Sequence, residues 1–273
     1  MSGSGEATAG TTMAVRLRRP AAGPDVTRIL LLHGLGGSRA AWAPLSGHAG
    51  HHLELWEADL PWTGTGDPAW SYRADVGTTI GRAMRSMPGG AEVVVAHSFA
   101  ANLLLEEVSR GTVPAPRALV LISPFYRPDP ADFQWSTIEF YLHGLIDIVE
   151  EGLRISASPR LDGDVRRQMA RRARDRIGPY GWMRFFDAYL RTPLLDLSEL
   201  PVPVLVLAGA DDRAATAQDA TALAKGLPRG RLEILPGCGH YPMIEKPGTV
   251  AALIGDFLAT LSRLTAENPR ESR

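Results

Sequence analysis

At 273 residues, with 45% hydrophobic and 22% charged residues, the chain is long enough for one large α/β core carrying an insertion. A formal net charge of −1 gives no global pull towards nucleic acid or an anionic membrane, and the single cysteine, Cys238, excludes an intramolecular disulfide and a multi-cysteine metal site. No apolar run reaches the length of a membrane span and the Gly/Ser/Thr/Ala-rich start lacks the layout of a signal peptide, so a soluble cytoplasmic protein without cofactor is expected.

Residues 1–14 read as a disordered tail. Short apolar runs follow at 28–33, 53–58, 92–96, 118–122, 202–208 and 231–235. Most are nearly continuous in apolar residues, as strands buried on both faces are. Helical patterns fall between and after them, at 40–49, 73–86, 99–110, 214–225 and 249–264. In the last, Val250, Ile254, Phe257, Leu258, Leu261 and Leu264 recur at helical spacing and form a stripe for docking on the sheet. The alternation predicts a mostly parallel sheet with helices on both faces. From 124 to 195 the strand signal disappears, and 11 of the 19 aromatic residues fall there. Ile138, Leu142, Leu145, Ile146, Val149 and Leu153 form one helical stripe, and 165–177 forms an arginine-rich helical segment. Such aromatic enrichment needs a surface to cover, so 124–195 is expected to be a helical lid over the carboxyl edge of the sheet, where open α/β sheets bind ligands. The core is then 15–123 with 196–264, and 265–273 is a second tail.

The candidate chemistry begins at Glu92-Val-Val-Val-Ala-His-Ser-Phe-Ala-Ala101. A strand runs directly into Ser98 and then into a helix, with small residues, Ala96 and Ala100, two positions to either side. That pattern suits a sharp turn that exposes a serine hydroxyl. A serine is a poor nucleophile near neutral pH without a base. His240, in the Gly-rich loop Pro236-Gly-Cys-Gly-His240 after the last strand, is the candidate base. The base needs an acid to fix its tautomer. Gly209-Ala-Asp-Asp-Arg213 places Asp211 and Asp212 at a strand's carboxyl end, and spacing alone does not separate them. The glycine-rich Leu32-His-Gly-Leu-Gly-Gly-Ser38 offers backbone donors for a developing oxyanion; the expected pair is the N–H of Leu35 and of Phe99. This loop fits neither G-x-G-x-x-G nor the phosphate-binding P-loop.

Together these residues resemble the α/β-hydrolase superfamily, in its lidded esterase, thioesterase and C–C hydrolase branch. The resemblance rests on His33-Gly34, the loop Asp59-Leu-Pro-Trp-Thr-Gly-Thr-Gly66, His97-Ser98, Gly209-Ala-Asp-Asp212, Gly239-His240 and Glu245-Lys-Pro247, and it runs from about residue 28 to 264. It implies an α/β-hydrolase fold and favours Asp212 as the acid. The chain departs from the pattern in the two elbow alanines and in Trp62, which stands where the family loop has glycine and is expected to press its ring towards the pocket mouth. Serine at 98 argues against the branches that use an aspartate nucleophile.

The substrate surface expected from the aromatics is Trp62, Phe125, Tyr126, Trp135, Phe140, Tyr141, Trp182 and Tyr241. His33 and His97 are read as scaffold residues, Cys238 as packing, and His48, His51 and His52 as a solvated cluster rather than a metal site. Arg166, Arg167, Arg171, Arg172, Arg174 and Arg176 are read as a solvated helix face, with an acidic acyl carrier protein as the alternative occupant. The expected function is hydrolysis of an ester or thioester of a medium-sized apolar or aromatic acyl group through an acyl-enzyme on Ser98. Two alternatives stand beside it. The same site could serve a lyase, C–C cleavage, acyl-transfer or cyclisation step, or the fold could be a non-catalytic binding protein.

Overall fold

The computed structural model describes residues 13–73, 75–156 and 161–267. Seven strands form one sheet: β1 (Val15–Arg19), β2 (Thr27–Leu32), β3 (Leu53–Ala58), β4 (Val93–His97), β5 (Ala118–Ile122), β6 (Val204–Gly209) and β7 (Gly230–Leu235). Their spatial order is β1-β3-β2-β4-β5-β6-β7, and every neighbouring pair is parallel except β1 with β3. Six strands lie within two residues of the predicted runs. β1 is additional. Three residues of its Val-Arg-Leu-Arg-Arg sequence are arginine, as an antiparallel edge strand can tolerate, and Arg18 reaches across to Glu57 at 2.7 Å.

The alternation of side chains along the strands divides the core in two. Ile29, Leu31, Val93, Val95, Val120 and Leu205 face the layer that holds α1 (Ala43–His48) and α8 (Pro247–Glu267). Leu30, Leu32, Val94, Ala96, Leu121 and Val206 face the layer of α2 (Thr78–Ser86), α3 (Phe99–Ser109) and α6 (Ala217–Gly226). The apolar stripe of α8 docks as expected, with Val250, Ile254, Phe257 and Leu258 buried. α8 continues to Glu267, into the stretch expected to be a tail, and the rest of that stretch lies outside the described residues. The expected N-terminal tail is also outside them, except Met13, which packs on the core, and Ala14, whose carbonyl accepts from the Asp59 N–H at 2.8 Å. Three helices begin later than predicted: α1 at Ala43, after a 3-10 turn over Arg39–Trp42, α2 at Thr78 and α6 at Ala217. Residues 68–72 form a separate 3-10 turn before α2, and α6 starts at Ala217 because Thr216 is extended and caps it, its hydroxyl accepting the Asp219 N–H at 3.2 Å.

Between β5 and β6 the described chain contains α4 (Trp135–Ser156) and α5 (Gly163–Leu190) with short 3-10 turns, and no strand. α5 is broken at Gly178-Pro179. Gly178 takes φ 65°, which glycine tolerates, and proline disfavours a helical residue before it. The break separates the arginine-rich half from an aromatic half whose Phe185, Phe186 and Tyr189 are buried against the core. No helix among the described residues is long and apolar enough to cross a membrane.

Candidate active site

The strand order reverses direction between β2 and β4: from β2 the sheet grows outward to β3 and β1, from β4 to β5, β6 and β7. Loops leaving the two strands there diverge and open a crevice at their carboxyl ends. The loop His33-Gly34-Leu35 follows β2 and Ser98 follows β4, so both border this crevice.

Ser98 takes φ 54°, ψ −124°, a left-handed conformation rare outside glycine. The surrounding bonds hold it there. Its N–H donates to the Ile122 carbonyl at 2.8 Å, and its own carbonyl receives the N–H of Ala101 and Asn102 at 2.8 and 3.2 Å. Ala96 and Ala100 are fully buried, and the alanines fit the turn without displacing it. The neighbouring loop approaches so closely that a Cβ on Gly34 would lie 2.8 Å from His97 Nδ1 and 3.0 Å from Ser98 Cβ. That proximity brings Leu35 beside the elbow.

Ser98 Oγ and His240 Nε2 are 3.1 Å apart, and His240 Nδ1 and Asp212 Oδ2 are 2.7 Å apart. A carboxylate only accepts, so the Nδ1–H donates to Asp212 and leaves Nε2 as the acceptor for the Ser98 hydroxyl. Asp212 Oδ1 accepts the N–H of Ala214 at 2.8 Å and of Ala215 at 3.0 Å. Burial by itself would raise the Asp212 pKa. The His240 imidazole and these hydrogen bonds outweigh that effect and hold the carboxyl below its ordinary range. Asp211 is exposed, so Asp212 alone of the two candidates meets His240.

Three further contacts place the histidine loop. The Glu245 carboxylate accepts the Gly239 N–H at 2.8 Å and the Tyr241 N–H at 2.9 Å, bracketing His240 on both sides. His97 Nε2–H donates to the His240 carbonyl at 2.8 Å. A Cβ on Gly209 would collide with the Cys238 and Gly239 carbonyls, so the acid loop and the histidine loop touch backbone to backbone. Burial, and then the nearby His240, lower the His97 pKa to about 3. His33 is similar: its Nδ1–H donates to the Gly34 carbonyl at 3.0 Å, its Nε2 accepts the Leu60 N–H at 3.2 Å, and burial lowers its pKa to about 4. Both are neutral scaffold residues.

Phe99 is the first residue of α3, so its N–H has no intrahelical acceptor. The Leu35 N–H makes no backbone hydrogen bond among the described residues. A cavity over Ser98 is lined by Leu35, His97, Phe125, Tyr141, Ile148, Val149, Trp182, Phe185, His240 and Tyr241. Of the expected substrate residues, Phe125, Tyr141, Trp182 and Tyr241 are there, and four are elsewhere. Trp62 is fully buried: its indole N–H donates to the His33 carbonyl at 3.1 Å, and its ring sits edge-on against Trp70 and Phe99. An indole with a buried partner for its N–H packs rather than gates. Tyr126 is buried in the core with its hydroxyl towards Gly226. Trp135 is 81% and Phe140 48% exposed, because each lies on the outer side of α4.

Ile148, Val149 and Phe185 also line the cavity and were not among the expected substrate residues. Helical spacing carries the missing signal: Ile148 is seven residues from Tyr141, Phe185 three from Trp182, and such residues share a helix face. Arg167, Arg171, Arg172, Arg174 and Arg176 of α5 are exposed and Arg166 is half-buried, as a solvated helix face requires. Arg166 and Arg167 pair with Glu150 and Asp147 on α4, Arg174 pairs with Asp175, and Arg176 bonds the Gly66 carbonyl. Among the described residues no group of three His, Cys, Asp or Glu is arranged to hold a metal ion.

Comparison with known proteins agrees with this architecture. The family described as "Alpha/beta hydrolase family" matches residues 29–253. Monoacylglycerol lipase ABHD6 of Mus musculus is 33% identical over 66 residues, 24% of this chain and 20% of that protein. The 2-hydroxymuconate semialdehyde hydrolase of Pseudomonas sp. (strain CF600) is 38% identical over 60 residues, 22% of this chain and 21% of that protein. The chain thus spans about a fifth of the length of these curated relatives. Among solved structures, an esterase from Thermogutta terrifontis superposes with a TM-score of 0.65 at 19% identity, covering 91% of this chain and 93% of that one. The sheet order, the turn at Ser98 and a family match over most of the length lead to one conclusion: the chain belongs to the α/β-hydrolase family.

Proposed function

We propose that the protein is a serine hydrolase that cleaves an ester or thioester of a medium-sized apolar or aromatic acyl group. The observation that carries this reading is the relay Ser98–His240–Asp212, at 3.1 and 2.7 Å, opening onto an apolar cavity. In the first step His240 Nε2 takes the hydroxyl proton as Ser98 Oγ attacks the acyl carbonyl carbon. Asp212 stabilises the imidazolium, and the Leu35 and Phe99 amides receive the oxyanion. The tetrahedral intermediate collapses as His240 returns the proton to the leaving oxygen or sulfur. Water, deprotonated by the same imidazole, then releases the acid and restores Ser98.

Among the described residues lining the cavity there is no Arg, Lys, Asp or Glu, which supports a neutral acyl group. The helical insertion acts as a lid, since Tyr141, Ile148 and Val149 of α4 and Trp182 and Phe185 of α5 form its share of the wall. The matched relatives, a lipase and a hydrolase, support a hydrolytic role for Ser98. A fluorophosphonate probe tests the reading. It is expected to label the wild type and not Ser98→Ala, and Asp212→Asn is expected to label slower by about 10³–10⁴. A folded wild type that resists labelling would remove the proposal.

A further inference from the structure

We infer that Tyr141 is a positioning residue through which helix α4 of the insertion holds the Asp212 loop, so that the relay is fully assembled only when the insertion is seated. This rests on Asp212 being the orienting acid.

Tyr141 is 3% exposed, and its O–H donates to the Ala214 carbonyl at 2.6 Å, across 73 residues of sequence. Ala214 is the residue whose N–H donates to Asp212 Oδ1 at 2.8 Å, and the Ala215 N–H joins it at 3.0 Å. One buried stretch of main chain is therefore gripped on one side by the Asp212 carboxylate and on the other by a hydroxyl from the insertion. The two ends of Tyr141 do different work. Its ring lines the cavity and packs edge-on against Phe125 and Phe185, both at 5.7 Å between ring centres. Its hydroxyl ends on the acid loop.

The side chain is itself held. Its ring packs edge-on against Tyr189, 5.6 Å between ring centres, and the Tyr189 hydroxyl accepts from Arg127 Nε at 3.0 Å, with Arg127 paired to Asp219 of α6 at 3.5 Å. Burial raises the Tyr141 phenol far above its ordinary range, so it is always a donor. Ala214 is 2% exposed, and a buried carbonyl deprived of its partner has no water to replace it. Lifting α4 thus frees the Ala214 carbonyl, loosens the two amides on Asp212 and weakens the orientation of His240. Seating α4 restores all three. The same motion that admits substrate would switch the relay down, and closure over bound substrate would switch it up.

The test is a double-mutant cycle read with a small fluorophosphonate, with rates normalised to the folded fraction from thermal unfolding. Tyr141→Phe, which keeps the ring, is expected to slow Ser98 labelling about tenfold in the wild-type background and by less than about twofold in an Asp212→Asn background. Equal slowing in both backgrounds would mean that the hydroxyl does not act through Asp212, and no slowing in the wild-type background would mean that it does not act at all; either overturns the inference. With a short aryl ester, Tyr141→Phe is expected to lower kcat and leave KM within about twofold. A rise in KM with unchanged kcat would make Tyr141 a wall of the cavity only. Failure of wild-type labelling would instead sink the hydrolase reading itself, so the two are separable.

Discussion

Ser98 occupies a strained backbone conformation that three main-chain bonds enforce, and the groups around it are buried polar side chains with assigned partners. Two of these, His33 and His97, are neutral in the fold with pKa values lowered to about 4 and about 3. The sign of the resulting pH dependence follows from proton counting. Below the ordinary histidine value of about 6.5 the unfolded chain binds protons that the folded chain refuses, so stability is complete above that pH and is lost as pH falls towards 4 and then 3. Each histidine contributes a slope of up to about 1.4 kcal/mol per pH unit in its window. Urea unfolding at pH 7 and pH 5 is therefore expected to show a clear loss of stability at the lower pH, and His97→Gln is expected to remove one share of that slope. Equal slopes in wild type and His97→Gln would contradict neutral burial of His97. Asp212 acts in a lower window. Its depressed pKa adds stability above the ordinary carboxylate value of about 3.9, lost as pH falls through the folded value.

At the scale of elements, the site is made where loops from different strands meet without side chains between them. The β6–α6 loop and the loop between β7 and α7 (Pro242–Glu245) touch at Gly209, where any Cβ would strike the Cys238 and Gly239 carbonyls. Gly209→Ala is expected to destabilise the protein by about 1–3 kcal/mol and to slow fluorophosphonate labelling by at least about tenfold, since Asp212 and His240 must separate. Gly144→Ala on α4 is the control. Nothing lies within 4 Å of the added methyl, so activity should be kept and stability gained by about 0.5–1 kcal/mol. Labelling of Gly209→Ala at the wild-type rate would show that the two loops tolerate separation. The same logic explains what was legible locally. Continuous apolar runs marked six strands because both faces of a parallel sheet are covered, whereas β1, at the edge with arginines alternating in it, carries no such run.

For the whole molecule, the insertion supplies part of the cavity wall. Trp182 stacks on Phe185 at 4.9 Å and 15°, and both line the space above Ser98. Trp182→Ala is expected to shift the preference among aryl esters towards longer acyl chains, raising the octanoyl-to-butyryl ratio of kcat/KM on the order of tenfold. An unchanged ratio would place Trp182 outside the acyl path. The sequence by itself determined the fold class and offered Ser98, the pair Asp211 and Asp212, and His240 in that chain order, because strand periodicity and glycine turns are local properties. It also narrowed the cavity to an aromatic segment. Only the tertiary structure decided between Asp211 and Asp212, buried Trp62 against Trp70 and Phe99, turned Trp135 and Phe140 outwards, and joined Tyr141 to the acid loop. The physical reason is common to all four. Which face of a turn or helix a side chain occupies, and which carbonyl waits 73 residues away to receive its hydroxyl, depends on how distant elements pack, and no local pattern encodes that.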